Sequence, residues 1–160
     1  MNDALVLVLA AGGTGGHMFP AQAVAETMLS QGWQVILSTD TRGSHYSAGF
    51  PDEVIVEVVS SGTFARPGLI NKIFVPFHIL KGIFAAFRRM RRLRPDVVVG
   101  FGGYPAIPAM GAALTLGIPC MLHEQNGVLG KVNGLFASRA DKIISGTRPT
   151  GFPKKLKVHY

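Results

Sequence analysis

Residues 4–10 read ALVLVLA, an apolar run with no alternation. A strand wetted on one side would alternate apolar with polar residues, so an unbroken run marks a strand buried on both faces. Strands of that kind sit inside parallel sheets covered by helices. The pattern recurs at WQVILST (33–39), VIVEVV (54–59), DVVVGF (96–101), PCMLHE (119–124) and DKIIS (141–145). Helical segments fall between most of these runs. One opens at Pro20 and ends near Gly32, a long one runs from about Leu69 to Leu93, a short one follows residues 102–105, and another lies within 125–140. GSHYSAGFPDE (43–53) reads as a loop. Strands alternating with helices predict an α/β domain, a Rossmann-like doubly wound parallel sheet. Residues 1–147 are expected to form it. The polar, basic, proline-containing stretch 148–160 reads as the start of a linker.

In open parallel sheets ligands bind beyond the carboxyl ends of the strands. Three loops with chemical potential follow strands at that edge: 12–17, 102–105 and 123–126. The first is GGTGGH, residues 12–17. Glycines let a ligand approach the backbone, and N–H groups at a helix start favour phosphate. Gly12, Gly13, Thr14, Gly15 and Gly16 are therefore candidate ligands of a phosphate or diphosphate. A dinucleotide fingerprint starting at Gly13 would need glycine or alanine at position 18, where Met18 stands, although Asp40 ends the second strand as a ribose-binding acid would. No Gly-Lys-Ser/Thr follows the glycines, which excludes a Walker A loop.

His17 closes the loop, and a neutral imidazole there could serve as a general base or could simply order the turn. Gly102 and Gly103 offer a second close approach, and Tyr104 a hydroxyl and a ring face. Gln125 and Asn126 suit sugar hydroxyls, because an amide both donates and accepts. Glu124 is a second candidate base. Cys120 is the only cysteine, so no internal disulfide can form, and its apolar setting reads as a buried structural thiol.

The formal net charge of +7 calls for an anionic partner. Five arginines, Arg88, Arg89, Arg91, Arg92 and Arg94, crowd the end of the long helical segment, with Lys72 and Lys81 upstream. Ile73, Phe77, Leu80, Phe84 and Phe87 form one stripe that could pack on the sheet, and Ile79 and Ile83 lie beside it. Apolar groups ringed by Lys and Arg fit an anionic membrane surface. The expected contacts are Ile79, Ile83, Lys72, Lys81, Arg88, Arg89 and Arg92. No groove-reading motif accompanies the charge, which argues against nucleic acid. No run reaches the roughly 18 apolar residues that would span a bilayer. The first residues read as a strand and not as a signal peptide.

GGTGGHMFPAQAVAE, PDVVVGFGGYPAIPA and GIPCMLHEQNGVLGKVN together, in this order and spacing, resemble the MurG family of bacterial peptidoglycan glycosyltransferases. The resemblance covers the chain but only the amino-terminal half of the family protein. It implies the acceptor-binding half of a two-domain GT-B enzyme. Such an enzyme moves N-acetylglucosamine, with inversion, from UDP-GlcNAc to the C4 hydroxyl of undecaprenyl-diphosphate-N-acetylmuramoyl-pentapeptide (lipid I). It needs no cofactor or metal. The resemblance further implies that Gly12–Gly16 and Gly102–Tyr104 face the lipid diphosphate and sugars, that Thr14, Gly15 and Asn126 reach the donor, and that His17, with Glu124 nearby, deprotonates the acceptor. It places the protein peripherally on the cytoplasmic face of the inner membrane. A UDP-binding half would have to be supplied beyond residue 160 or by another chain. The Ala-Ile pair after GGYP departs from family members that carry Ser or Gly there. A non-catalytic membrane-surface subunit of a split glycosyltransferase and a nucleotide-binding Rossmann domain are the alternatives.

Overall fold

The structure, a computed structural model, describes residues 4–59, 69–147, 151–152, 156 and 158–159; within 69–78 the only side chain described is that of Phe77. Seven parallel strands form one sheet: β1 (Val6–Ala10), β2 (Gln34–Thr39), β3 (Ile55–Val58), β4 (Val97–Gly100), β5 (Cys120–Glu124), β6 (Lys142–Ser145) and β7 (Val158–His159). Their order is β3-β2-β1-β4-β5-β6-β7. The chain leaves β1 toward one edge and resumes at β4 on its other side. The crevice for a ligand therefore opens where the loops after β1 and β4 diverge.

Helix α1 (Gly15–Ser30) covers one face, burying Met18, Ala21 and Ala25 against Leu7, Leu9, Val35 and Leu37. Helices α2 (Leu69–Leu93), α3 (Ala106–Leu116) and α4 (Lys131–Phe136) lie on the other. There Val8, Ala10, Val98 and Leu122 meet Met90, Met110 and Phe136. The strand residues thus divide their side chains between two cores, which is why β1 shows no alternation. Two aspartates just before strands tie neighbours together. Asp96 accepts the Val6 N–H at 2.7 Å, and Asp141 accepts the Cys120 N–H at 2.7 Å.

Cys120 is fully buried; burial first, then the Asp141 charge, pushes its thiol up to about 11. It is a core residue. Three readings change. Helix α1 begins at Gly15 and not at Pro20, so Pro20 lies inside it and the end of the glycine loop is its first turn. Residues Gly43–Gly49 form a short 3-10 helix instead of a loop. Val158 and His159, in the stretch read as linker, pair with Ile143 and Ile144 as the seventh strand.

Helix α2 requires a correction that bears on function. Ile79 and Ile83, expected on the outer surface, turn inward and pack on the core, with Ile83 over Gly111 of α3. A Cβ on Gly111 would stand 3.1 Å from Ile83 Cδ1, so the missing side chain is what lets the two helices approach. The stripe expected on the sheet faces out instead: Phe77, Leu80 and Phe84 are 65%, 64% and 61% exposed. Phe87, from the same stripe, packs inward. Ile73 and Lys72 lie outside the described side chains.

Candidate functional site

The loops after β1, β4 and β5 converge at the carboxyl edge. After β1, Thr14 is the extended residue that caps α1, and its carbonyl accepts the N–H groups of His17 and Met18 at 3.1 Å each. The Thr14 side chain does not cap the helix. It turns to His17, with Oγ1 3.2 Å from Nδ1. The same Nδ1 lies 3.1 Å from the Gly12 carbonyl oxygen. A carbonyl can only accept, so Nδ1 carries the proton and donates to it. The neutral ring then holds a lone pair on Nε2, on the side toward Gly102. The loop's own backbone thus selects the tautomer that a base acting through Nε2 requires.

After β4, Gly102 and Gly103 adopt φ of 95° and 77°, a left-handed conformation that favours glycine. Close approach here is first to the protein itself. A Cβ on Gly103 would lie 2.8 Å from the Gly12 carbonyl oxygen, and one on Gly12 would lie 2.8 Å from the Pro105 ring. The two glycine loops are therefore seated on each other. Tyr104 follows, exposed at the rim.

After β5, Glu124 is only 1% exposed, and its carboxylate accepts four N–H donors. Oε1 takes the Asn126 backbone N–H at 3.1 Å and its side-chain amide at 3.0 Å. Oε2 takes the Gly130 N–H at 2.9 Å and Asn133 Nδ2 at 2.9 Å. Both oxygens are saturated. This geometry makes Glu124 the clamp that shapes residues 125–130; its oxygens are not free to receive a substrate proton. Neighbouring His123 lies against the Phe101 ring at 5.2 Å. Burial lowers its pKa, outweighing the opposing influence of Glu124 and Gln125.

His17, Gly102, Gly103, Tyr104, Glu124, Asn126 and the start of α4 enclose a cavity of about 200 Å³. Six of the twelve sequence-predicted catalytic and substrate-binding residues thus come together here. Asn126 is exposed on its wall, and Gln125 is half-buried behind it. Gly13, Gly15 and Gly16 lie at or beside the start of α1. Gly13 faces Arg42, whose Nε donates to Asp40 at 3.2 Å. Asp40 also accepts the Gly43 N–H at 2.9 Å, so it closes its own turn and is not presented as a ribose ligand. Asn133 and Lys131, which the sequence reading passed over, line the cavity too. Among the described residues no group of His, Cys, Asp and Glu could hold a metal ion.

Residues 7–145 match the glycosyltransferase family 28 N-terminal domain. The chain belongs to glycosyltransferase family 28. It is 48% identical over 136 residues to the UDP-N-acetylglucosamine--N-acetylmuramyl-(pentapeptide) pyrophosphoryl-undecaprenol N-acetylglucosamine transferase of Caulobacter vibrioides, covering 85% of this chain and 37% of that protein. The protein of the same name from Maricaulis maris is 42% identical over 96% of this chain and 42% of its own length. The crystal structure of Acinetobacter baumannii MurG superposes with a TM-score of 0.80 at 36% identity, covering 98% of this chain and 46% of that one. The expected Rossmann-like fold and MurG resemblance are therefore borne out. The chain spans less than half the length of these relatives. A Rickettsia bellii UDP-N-acetylglucosamine 2-epimerase shares the fold alone, with a TM-score of 0.62 at 16% identity.

A second surface lies on α2. Phe77, Leu80 and Phe84 stand outward. Arg88 stacks over the Phe84 ring at 5.9 Å, a cation–π contact, and with Arg91 and Arg92 it lines an open groove of about 440 Å³. Lys81 is exposed on the same helix. Arg89 is diverted: its Nε donates to Glu57 on β3 at 2.6 Å. That hydrogen bond, and then the Glu57 charge, raise its pKa further. No described helix is long and apolar enough to cross a membrane.

Proposed function

We propose that this chain is the acceptor-binding half of an inverting glycosyltransferase that moves N-acetylglucosamine from UDP-GlcNAc to the C4 hydroxyl of undecaprenyl-diphosphate-N-acetylmuramoyl-pentapeptide. The observation that carries this reading is the His17 tautomer. Nδ1 is tied to the Gly12 carbonyl, so Nε2 is left to accept a proton beside Gly102. In the reaction Nε2 takes the C4 hydroxyl proton as the oxygen attacks C1 of the donor sugar. The C1–O bond to UDP breaks on the opposite face, and its electron pair leaves with the diphosphate. One displacement inverts C1.

The free N–H groups at the start of α1 and the neighbouring Gly13 suit the acceptor diphosphate. Gly102, Gly103, Tyr104, Gln125 and Asn126 suit the sugars, with Thr14, Gly15 and Asn126 nearest the donor. Glu124 acts as a positioning residue for the Asn126 loop. The UDP-binding partner is a donor-side half, in the same polypeptide or another, that faces this edge.

The α2 surface seats the protein peripherally on the anionic cytoplasmic leaflet, where a polyprenyl-linked acceptor resides. Phe77, Leu80 and Phe84 enter the interface, and Lys81, Arg88, Arg91 and Arg92 meet headgroups.

The test supplies the donor-side half and follows transfer of labelled N-acetylglucosamine to a soluble muramoyl-diphosphate acceptor. Transfer that depends on this chain is expected. An acceptor that neither binds this chain nor is glycosylated in its presence overturns the reading.

A further inference from the structure

Among the described residues three buried side-chain atoms lack a hydrogen-bond partner: His123 Nδ1, Gln125 Oε1 and Asn133 Oδ1. All three lie in the β5–α4 segment beneath the candidate site. The first two are neighbours whose interaction already bears on the His123 pKa, so a small rotation pairs them. Asn133 Oδ1 has no such way out. The residue is 2% exposed, and both bonds from its Nδ2 are made, to the His123 carbonyl at 3.1 Å and to Glu124 Oε2 at 2.9 Å. Both of those partners can only accept, so the amide cannot be flipped to relieve the oxygen. The unpaired atom is therefore a buried hydrogen-bond acceptor held in a fixed direction, on a side chain that lines the cavity that also holds His17. The two side chains stand close. A Cβ on Gly102 would lie 3.2 Å from His17 Nε2 and 3.6 Å from Asn133 Nδ2.

We infer that Asn133 is a positioning residue of the acceptor site, whose Oδ1 receives the second free hydroxyl of the acceptor sugar while His17 receives the proton of the first. This rests on the acceptor-half reading above. The assignment of the hydroxyl follows from the substrate's chemistry. In a muramoyl unit C1 carries the diphosphate, C2 the acetamido group and C3 the lactyl ether. Only C4 and C6 keep free hydroxyls. C4 is the reacting oxygen, so the donor left for Oδ1 is the C6 hydroxyl. A lone acceptor selects a donor, and burying it raises the penalty for any sugar that cannot supply one. Oδ1 has almost no accessible surface of its own, so seating the hydroxyl on it displaces neighbouring atoms of the cavity wall.

The experiment compares three soluble muramoyl-diphosphate acceptors, bearing at C6 a hydroxyl, hydrogen or fluorine, with the donor-side half supplied. Fluorine keeps size and polarity but has no proton to donate. With the unaltered protein the 6-deoxy and 6-fluoro acceptors should both show a KM about three- to tenfold higher, the effect of one lost neutral hydrogen bond. In Asn133→Ala the hydroxyl and deoxy acceptors should become equivalent, because the partner of the missing group is gone. If Asn133→Ala does not fold, the comparison of fluorine with hydroxyl on the unaltered protein still decides. A fluoro acceptor as good as the hydroxyl one, or a deoxy penalty that persists unchanged in Asn133→Ala, overturns the assignment to Asn133 and leaves the acceptor-half reading intact. Failure of all three acceptors to bind overturns both.

Discussion

The carboxyl edge of the sheet and the outer face of α2 are built on opposite rules. At the edge the central groups are held by one another. His17 is fixed by Gly12 and Thr14, Glu124 by four donors, and the two glycine loops by mutual contact. On α2 the outward Phe77, Leu80 and Phe84 have little packed against them, and the cationic groups around them are exposed. The difference matches the work proposed for each region. Proton transfer needs atoms placed within tenths of an ångström. Adhesion to a fluid, anionic surface needs composition and area, and tolerates side chains that move.

The comparison breaks most sharply at His17. His17→Ala should lower kcat by about 10² to 10⁴ while leaving the melting temperature nearly unchanged, measured with the donor-side half supplied. A near-normal kcat would remove His17 as the base and blur the line between the two regions.

Glu124→Gln tests whether the edge is braced as described. An amide offers one acceptor oxygen where the carboxylate offers two, so N–H donors are left facing an NH2 group. A loss of about 1–3 kcal/mol in denaturant unfolding is expected, with a fall in turnover that follows from loop disorder. Unchanged stability would mean that the clamp is dispensable.

Ile83 and Phe84 are adjacent on one helix and lie on opposite sides of the comparison. Ile83→Ala should cost about 1–3 kcal/mol of stability, because it opens the α2–α3 contact. Phe84→Ala should leave stability within about 0.5 kcal/mol. It should nevertheless weaken binding to vesicles containing phosphatidylglycerol about tenfold, the order of one lost aromatic burial. Arg88→Gln or Arg92→Gln should each weaken that binding about fivefold, less at high salt, since each basic residue near an anionic surface contributes about 1 kcal/mol. Equal vesicle binding by Phe84→Ala and the unaltered protein would sink the surface assignment.

The smallest effect concerns pH. The folded-state pKa of His123 is lowered from 6.5, chiefly by burial. Below 6.5 the unfolded chain takes up a proton that the folded chain resists. Stability from this source is full above about pH 6.5 and is lost as the pH falls through the folded value. Unfolding free energies between pH 7 and 5 should show the decline, and His123→Gln should reduce it.

Much of this was legible in the residues. Unbroken apolar runs gave the parallel strands, because a strand covered on both faces has no polar side to reveal. Loops ending those strands gave the site, because topology sends them all to one edge. The roles inside the site were less legible. Glu124 reads as a candidate base because sequence shows a carboxylate near a histidine. That its oxygens are already filled depends on Gly130 and Asn133, six and nine residues away, folding back onto it. Asn133 carried no signal of its own, since an asparagine in a short helix is unremarkable until its burial is known. The start of α1 was misplaced because glycine and proline disfavour helix locally, and packing of Met18 into the core overrides them.

By itself, then, the sequence determined six of the seven strands, the edge that carries the candidate site, the tautomer-capable histidine beside glycines, and the existence of an apolar, basic helix. Tertiary structure alone decided which half of that helix meets water. Both stripes recur at helical spacing, so periodicity could not choose between Ile79–Ile83 and Phe77–Leu80–Phe84. Gly111 chose: only against a residue without a side chain can α3 lie close enough for Ile83 to pack there, and that contact turns the phenylalanines outward.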